Sequence, residues 1–430
     1  MKATFAGVLA VLAFAACSSR DDSAATTVSP TESDTLPCAV DEVFARNCRG
    51  CHASTPRYGA PMSLVHESDV LAAGSSGKPR FQLVGERTHD DRRPMPPPPA
   101  ARLDAADQAT LDAWIAAGAP AGDPKEQCGA PVTSVPANGR PALSCKPDVT
   151  MRPASAFAMP KDARDLYICY GFDVPASGKR HLTAIAPKLD NTKIIHHLVL
   201  YETDVVASAT PGSCDIAGLA RARLLYGWAP GTGNLELPPE AGYPIDGTRH
   251  FVVQMHYNNA NSLAGQTDAS GFEFCTTDKL RANEADAVTF GTEKLTIPAK
   301  GSTDVTCSYT WPTEAPSVHV FSALPHMHQL GDMIDTTQFP GGTGAPVDLG
   351  GQAHWDFNNQ ILVPVTATLN PGDRIETRCR WKNPTDMPVS FGPTTEDEMC
   401  FSYTMYYPRF TFDGWTFRTP ASESKCAPSK

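Results

Sequence analysis

Two cysteines and a histidine stand at a spacing that can hold a prosthetic group covalently. Cys48, Cys51 and His52 form the pattern C-x-x-C-H, in which two thiols can bond to the vinyl groups of a haem and the next imidazole can bind its iron. A redox-active disulfide and half of a zinc site use the same cysteine spacing. The first usually precedes a long helix in a thioredoxin-like fold, and the second needs another Cys/His pair nearby. The sequence shows neither a thioredoxin-like pattern nor a second Cys/His pair nearby, so the motif predicts one c-type haem.

The second ligand to the iron is expected from the same part of the chain, and Met95 is the best placed residue. It lies between Pro94 and Pro96, whose restricted backbone would hold the thioether in one position. The segment resembles the class I cytochromes c, in which the distal methionine lies in a Pro-containing loop before the last helix. A His/Met pair suits an electron carrier because it raises the reduction potential. The alternative ligands are His66, His89 and Met62.

Five further histidines are grouped in a way typical of metal ligands. His196 and His197 are neighbours on a predicted strand. Because neighbouring side chains point to opposite faces, both reach one metal only if the strand twists or bulges, or if they use different ring nitrogens. His326 and His328 are two residues apart, which places both imidazoles on one strand face. His256 lies on a third predicted strand, and imidazole suits copper and zinc.

Six stretches of the chain, in order, resemble the type II copper, ascorbate-dependent monooxygenases, a family that includes the peptidylglycine-hydroxylating and dopamine β-type enzymes. The stretches are IIHHLVLYE (194–202), LLYGWAPGTGNLELPPEAGYPI (224–245), FVVQMHYNN (251–259), HVFSALPHMHQLGD (319–332), PGDRIETRCRW (371–381) and TEDEMCFSYTMYYP (395–408). The resemblance covers residues 160–426, and the His-His, His, His-x-His and Met elements are all present.

The resemblance implies two copper ions with different ligands. Three imidazoles would form the site that accepts electrons, namely His196, His197 and His256. Two imidazoles and a thioether would form the site that meets O2, namely His326, His328 and Met399. A thioether ligand favours Cu(I), the state that reacts with O2, whereas three imidazoles stabilise copper through one-electron changes. Gln254 and Tyr403 match residues that line the cleft between the two domains in the family.

The fold that the resemblance implies is mainly β, with two antiparallel jelly-roll β-sandwich domains that follow a small all-α cytochrome c domain. Short alternating runs divided by Pro, Gly and Asn continue from residue 159 to 426, a texture typical of β-sandwiches. A helix is predicted over 104–118, where Leu111, Trp114 and Ile115 recur at helical spacing before a glycine. The predicted divisions are a signal peptide (1–17), a flexible tether (18–36), the cytochrome (37–128), a linker (129–158) and the two jelly rolls (159–285 and 286–426).

The first residues carry the features of an export signal. A positive start and a short apolar run lead to Ala15-Ala16-Cys17, which resembles the bacterial lipobox, and the run is too short to span a bilayer. We expect Cys17 to be lipidated and to be the protein's one attachment to a membrane; plain cleavage, with Cys17 lost, is the alternative. The predicted location is the periplasm or the cell surface, and Ser18 favours the outer membrane.

Ten cysteines remain after Cys17 and the haem pair, and an even number in an exported chain predicts disulfides. The family resemblance implies three pairs, which are Cys379–Cys400, Cys307–Cys426 and Cys169–Cys275. That leaves Cys38–Cys128, which would close the cytochrome segment, and Cys145–Cys214 by elimination.

The predicted activity is the insertion of one oxygen atom of O2 into a C–H bond of a small organic substrate. Its electrons would come from the haem domain, from ascorbate or from a donor in the periplasm. The net charge of −11 argues against nucleic acid as a partner, since phosphate binding needs a basic surface. Two alternatives stay open: a haem–copper electron-transfer or copper-handling protein without hydroxylase activity, and a ligand-binding jelly roll with vestigial metal sites.

Two positions near the predicted ligands indicate the substrate class. In the peptide-amidating branch of the family, an arginine two residues before the His-x-His pair binds the substrate carboxylate, and an asparagine follows the methionine by two. This chain has Leu324 and Phe401 at those positions. An apolar surface in place of a carboxylate clamp disfavours an anionic substrate end. The sequence therefore predicts a substrate that is apolar or aromatic at its reacting end.

Overall fold

A computed structural model of the chain describes residues 34–429 apart from several short segments. The segments left out are 59, 75–76, 92–93, 98–99, 124, 127, 129–142, 176, 216–218, 220–221, 231, 260–261, 358, 393–395 and 411–419. The predicted signal peptide, the lipidation site at Cys17 and most of the tether lie outside the described residues. Among the residues that are described, no helix has the length and apolar character needed to cross a membrane.

A small helical region forms the N-terminal part. Its helices are α1 (Cys38–Asn47), α2 (Glu67–Leu71), α3 (Arg80–His89) and α4 (Ala105–Ala116). The predicted helix is α4: Asp104 caps it by accepting hydrogen bonds from two backbone N–H groups of the first turn, and Gly118, at φ 84°, follows its end. Leu111 and Trp114 are buried, and the Trp114 ring packs edge-on against Phe44 at 5.9 Å. The periodic pattern is thus confirmed as the face that builds this small core.

The first β domain consists of two facing sheets. Its strands are β1 (Val149–Met151), β2 (Phe157–Ala158), β3 (Asp165–Val174), β4 (Arg180–Lys188), β5 (Ile195–Thr203), β6 (Gly212–Ser213), β7 (Arg223–Trp228), β8 (Leu235–Glu236), β9 (Ala241–Ile245), β10 (Arg249–Asn258), β11 (Thr267–Asp268), β12 (Gly271–Thr277) and β13 (Asn283–Glu284). One sheet has the order β1-β12-β4-β9-β13 with β8 beside β4, and the other has the order β6-β3-β10-β5-β7. Alternating apolar residues from both sheets, among them Tyr170, Val253 and Phe272, form one buried core.

The second β domain repeats this arrangement. Its strands are β14 (Asp286–Thr292), β15 (Thr296–Ile297), β16 (Ser302–Thr310), β17 (Val318–His326), β18 (Gly331–Phe339), β19 (Val347–Gln352), β20 (Val363–Leu369), β21 (Arg374–Lys382), β22 (Val389–Ser390), β23 (Cys400–Tyr407) and β24 (Lys425–Pro428), with short 3-10 turns at Pro340–Gly342 and Pro420–Ser422. The sheets β14-β23-β17-β20 and β19-β18-β21-β16-β24 face each other. The prediction of a mainly β protein behind a small helical region is confirmed at this level, while jelly-roll connectivity stays a prediction.

The predicted domain boundaries also stay predictions, with one difference at the linker. Part of the predicted linker, residues 129–158, belongs to the first β domain. It contains β1, which pairs with β12, and β2, which pairs with β11. The two β domains are joined by a buried ionic cluster. Arg223 on β7 contacts Glu202 of β5 and lies 2.7 Å from Asp286, the first residue of β14.

The described residues form five disulfides, a number typical of chains that fold in an oxidising compartment outside the cytoplasm. They are Cys38–Cys128, Cys145–Cys275, Cys169–Cys214, Cys307–Cys426 and Cys379–Cys400. The first and the last two confirm the predicted pairs. The predicted pairs Cys169–Cys275 and Cys145–Cys214 are wrong.

Strand pairing explains the correction. Cys169 lies on β3 and Cys275 on β12, in opposite sheets of the first domain, and the residues beside each of them face the core between those sheets. The two cysteines therefore point away from each other. Instead, β6 pairs with β3 and brings Cys214 to Cys169, while β1 pairs with β12 and brings Cys145 to Cys275.

Candidate metal centres

Three buried histidines of the first β domain point the same ring nitrogen at one another. The Nδ1 atom of His196 lies 3.3 Å from that of His197 and 3.2 Å from that of His256, and the last two are 3.2 Å apart. A point equidistant from three nitrogens at this spacing lies about 1.9 Å from each, close to the roughly 2.0 Å of metal–imidazole bonds. The three residues form a group that can hold a metal ion, and we call it the first histidine group.

A bulge in strand β5 makes this convergence possible. His197 lies opposite His256 on β10, but the next pair along the ladder is Ile195 with Tyr257. His196 is therefore the extra residue of a β-bulge, which turns its side chain toward the side that His197 occupies. Of the alternatives that the sequence left open, the bulge is the one observed. All three rings use Nδ1, so the alternative of different ring nitrogens does not apply to the closest approach.

Neighbouring side chains fix the orientation of the group. Asp165 on β3 contacts Nε2 of His256. Tyr167, two residues along, stacks on the same ring, with the ring centroids 4.2 Å apart and the planes 2° from parallel. A contact at Nε2 leaves Nδ1 to face the metal. Burial lowers the pKa of His197 well below its usual value, and the neighbouring His256 and His196 lower it further. That imidazole is therefore neutral, as a metal ligand must be.

A second pair of imidazoles lies at the end of β17. The rings of His326 and His328 are 5.2 Å apart, while Met327 between them is fully buried in the core, as the predicted alternation requires. Nδ1 of His326 is 2.9 Å from the side-chain oxygen of Gln360, and Nδ1 of His328 is 3.0 Å from the backbone oxygen of Asp397. Nε2 is thus the nitrogen left for a metal. Burial, and then the neighbouring His328, lower the pKa of His326 to about 3.

The third predicted ligand of this site, Met399, directly precedes β23 and lines the same cavity as His326 and His328. Glu398 beside it was not singled out from the sequence. Its buried carboxylate accepts hydrogen bonds from the backbone N–H groups of His328 (2.9 Å), Leu330 (2.6 Å) and Met399 (3.2 Å) and from the Trp381 indole (3.0 Å). Burial raises the pKa of Glu398 to about 7, although these donors favour the carboxylate. Only its charged residue type next to a strand could have signalled this role.

His197 of the first group and both histidines of the second pair line one cavity of about 200 Å³ between the β domains. Gln254 and Tyr403, the predicted cleft residues, line it, and so do Leu324 and Phe401. The Tyr403 ring is 6.0 Å from that of His326. The two domains approach closely here, because a methyl group on Gly227 of the first would lie 2.8 Å from Leu324 of the second. The cavity is thus a narrow cleft with an apolar wall beside the second pair.

The C-x-x-C-H motif lies just after α1 in the helical region. Cys48 and Cys51 are outside any disulfide, and burial raises the pKa of their thiols to about 12 and about 11, so neither resembles the reactive thiolate of a redox pair. His52 is buried, and its Nδ1 lies 2.9 Å from the backbone oxygen of Met62. Nε2 is the nitrogen that stays available to an iron.

The predicted second iron ligand and its rivals have separate surroundings. Met95 is half-buried, and its backbone N–H donates to the oxygen of Arg87 at 2.9 Å. His66 caps α2, and Nε2 of His89 lies 2.9 Å from Asp112 at the surface. Both rival histidines therefore have local roles, and the assignment of Met95 stays a prediction.

Two protein-family models match the β domains and together cover more than half of the chain. The N-terminal domain model of the copper type II ascorbate-dependent monooxygenases matches residues 151–264, and the C-terminal domain model matches residues 283–422. Neither of these two models extends over the helical region.

Curated relatives carry the same similarity. The chain is 27% identical over 256 residues to a tyramine beta-hydroxylase of Caenorhabditis briggsae, covering 53% of this chain and 42% of the relative. It is 26% identical over 259 residues to peptidyl-glycine alpha-amidating monooxygenase A of Xenopus laevis (56% and 26%). It is 28% identical over 275 residues to human DBH-like monooxygenase protein 1 (56% and 44%). The chain thus spans less than half the length of these relatives. It belongs to the copper type II ascorbate-dependent monooxygenases, a family of oxidoreductases.

Proposed function

We propose that this protein hydroxylates a C–H bond of a small organic substrate, using O2 and one copper ion at each histidine group. The observation that carries the proposal is that His197 of the first group and all three predicted ligands of the second site, His326, His328 and Met399, line the same narrow cavity. The first copper is held by His196, His197 and His256, and the second by His326, His328 and Met399. When bound, the two copper ions supply single electrons and the reaction with O2.

The protein's own groups prepare this chemistry by holding neutral ligands in fixed directions. Nδ1 of each ring in the first group faces a common point. In the second pair, Gln360 and the Asp397 carbonyl occupy Nδ1 and leave Nε2 for the metal. The thioether of Met399 adds a soft ligand at the second site only, which favours Cu(I) there. This difference supports separate roles for the two sites in electron storage and in the reaction with O2.

The substrate of the proposed reaction is apolar or aromatic at its reacting end. Leu324 and Phe401 border the cavity next to His326 and Met399, at the positions where the peptide-amidating branch has an arginine and an asparagine. Phe391 packs on Phe401 at 5.7 Å and extends this wall. A carboxylate placed against these side chains would lose its water without gaining a partner. Apolar phenyl or alkyl groups fit the same wall.

Replacing Met399 by leucine tests the proposed oxygen site. Met399→Leu should abolish oxygen consumption, because it removes one ligand of the second copper. The copper bound per chain should fall from two ions to one, because the first group is untouched. Met405→Leu is the matched control, since Met405 is a fully buried core residue of the same segment and should keep both ions and the activity. Normal turnover by Met399→Leu would show that the oxygen site is assigned wrongly.

Oxygen consumption with different substrates tests the rest of the proposal. Under ascorbate, phenylalkyl compounds should be hydroxylated, and glycine-extended peptides should react poorly. Efficient turnover of such peptides would contradict the proposed substrate class. Copper binding and electron exchange without any substrate-dependent oxygen consumption would favour the alternative of a haem–copper electron-transfer or copper-handling protein.

We further propose that the helical region carries a c-type haem, bound by Cys48, Cys51, His52 and Met95, which delivers electrons to the first copper in place of ascorbate or beside it. When bound, such a haem supplies one-electron transfer. Support comes from the two unpaired thiols and the free Nε2 of His52 described above. It also comes from Tyr58, which follows the motif: its backbone N–H donates to the oxygen of Thr192 at 2.9 Å, and its ring lies 6.3 Å from that of Trp228.

Those contacts bring the motif segment to the sheet that bears the first histidine group. Trp228 on β7 pairs with Leu198, next to His197 on β5. In the protein that carries the haem and both copper ions, reduced haem should therefore reoxidise at a rate independent of protein concentration. His196→Ala should slow this reoxidation and leave the haem spectrum unchanged. A concentration-dependent rate, or an unaltered rate in His196→Ala, would contradict direct delivery. An exported location, with a lipid at Cys17, is part of the same proposal.

A further inference from the structure

One short loop of the second β domain, described at residues 355–357 and 359–360, contacts the second histidine pair. The Trp355 indole N–H donates to the backbone oxygen of His328 at 2.8 Å. Farther along, the side-chain oxygen of Gln360 lies 2.9 Å from Nδ1 of His326. One end of the loop therefore contacts the backbone of His328, and the other end contacts the imidazole of His326.

The middle of the same loop reaches the first histidine group. The ring of Phe357 stacks on His196 with the centroids 5.5 Å apart and the planes 25° from parallel. It also lies 6.3 Å from the ring of His256 and 6.4 Å from that of His328. Phe357 is thus an aromatic ring from one domain that lies between the histidines of both.

Hydrogen bonds set the position of this ring from both sides. The side-chain N–H of Gln360 donates to the backbone oxygen of Phe357 at 3.2 Å, which folds the loop back on itself. The hydroxyl of Thr232, in the first domain, donates to the backbone oxygen of Gln360. The ring covers His196, which has no surface exposed to solvent. The loop therefore spans the cleft and is anchored in both domains.

We propose that Phe357 is a positioning residue that keeps the two histidine groups at a fixed separation and closes the first group to water. The inference rests on the proposed copper occupancy of both groups. With copper at both groups, the first would give one electron to the second in each transfer, and ascorbate or another one-electron reductant would restore it. The Phe357 ring, which lies near both His196 and His328, places packed atoms between the groups beside the cavity.

The size of the effect follows from the stacking. An aromatic pair adds about 0.5–1.5 kcal/mol beyond the area it buries, which corresponds to a factor of roughly two to ten in the equilibrium between the stacked and the unstacked ring. Phe357→Ala should therefore slow single-turnover electron transfer from the first copper to the second by up to about that factor. Phe357→Tyr keeps the ring and should behave like the unchanged protein, whereas Phe357→Leu keeps volume without stacking and should lie between.

A measurement on the copper-free protein separates this role from activity. Hydrogen–deuterium exchange of residues 194–198 should accelerate in Phe357→Ala, because the ring no longer covers His196. Phe391→Ala is the matched control: Phe391 lines the same cavity and packs on Phe401, but it is not stacked on the first group. In Phe391→Ala, hydrogen–deuterium exchange of residues 194–198 should equal that of the unchanged protein.

Three outcomes decide between the ideas. Faster exchange and slower electron transfer in Phe357→Ala, with two coppers still bound, support the positioning role. Exchange and transfer both equal to the unchanged protein would overturn it while leaving the proposed function intact. If the unchanged protein itself binds copper but never consumes O2, the proposed function fails, and unaltered exchange in copper-free Phe357→Ala would then overturn the covering role independently.

Discussion

Replacing Asp165 by asparagine removes one outer contact of the first histidine group and leaves all three imidazoles in place. Strand β3 pairs with β10 so that Tyr167 lies opposite His256, and Asp165, two residues earlier, reaches Nε2 of the same ring. The carboxylate favours the tautomer that carries its proton on Nε2, which leaves the Nδ1 lone pair for the metal. An amide at this position can also donate, and it then favours the opposite tautomer.

Asp165→Asn is expected to lower the affinity of the first histidine group for copper. Outer partners of metal-bound histidines typically contribute about 10- to 100-fold, or roughly 1.4–2.7 kcal/mol. The side chain of Asp165 is 43% exposed, and water screens a contact of this kind. We therefore expect Asp165→Asn to weaken copper binding at the first group by about tenfold, the lower end of that range.

Competition between the copper-free protein and a Cu(I) chelator measures this factor, in a Met399→Leu background that leaves only the first group to be titrated. Asp173→Asn is the control, because Asp173 and His250 form a similar pair at 2.7 Å on the same two strands, away from the cluster. Equal losses in both variants would attribute the effect to strand pairing. Unaltered affinity in Asp165→Asn would refute the argument that the Nε2 contact orients His256.

Three other predictions concern the second site, acid stability and the domain junction. Glu398→Gln, which disturbs four hydrogen bonds, should release the second copper selectively, and metal analysis should find one ion per chain; loss of both or of neither would contradict it. Because the pKa of His326 is lowered to about 3 in the folded chain but is about 6.5 when unfolded, the copper-free protein should lose stability as the pH falls from about 6.5 towards 3. The contribution of His326 to the loss between pH 7.5 and 5 should be about 2 kcal/mol, measured as the difference between the unchanged protein and His326→Gln in urea titrations at the two pH values. Arg223→Leu strands two buried carboxylates and should cost about 3–5 kcal/mol in thermal unfolding, whereas Arg180→Leu, at an exposed pair, should cost less than about 1 kcal/mol.

The parts of the site that follow a local rule could be predicted from the sequence. Alternation along a strand places His326 and His328 on one side and Met327 in the core. The adjacent pair His196–His197 needs a twist, a bulge or different ring nitrogens to converge, and of these β5 contains the bulge. Helical periodicity likewise gave the buried face of α4, from Leu111 to Trp114.

Features that depend on which segments meet in space could not be predicted in this way. The Cys169–Cys214 pair follows from β6 lying beside β3, and no local pattern states that neighbour. Asp165, Glu398 and Phe357 contact His256, His328 and His196, respectively. In each case the two residues are at least 70 positions apart in the chain. Their residue types are ordinary at strand ends and in loops, so only the folded arrangement reveals what they contact.

The supports of the two histidine groups suggest why a cleft enzyme of this kind would use them differently. The ligands of the first group lie on β5 and β10, inside a five-stranded sheet, and its outer contacts come from the neighbouring β3. Sites on regular elements hold their geometry closely, which suits a copper that only gains and loses electrons. The second pair lies at the end of β17 and is held by loop residues Gln360 and Asp397. These contacts hold Nδ1 of each ring, and the apolar side chains of Leu324 and Phe401 line the cavity beside the pair. This side of the cleft is therefore where O2 and a substrate would meet the metal, in accord with the roles proposed for it.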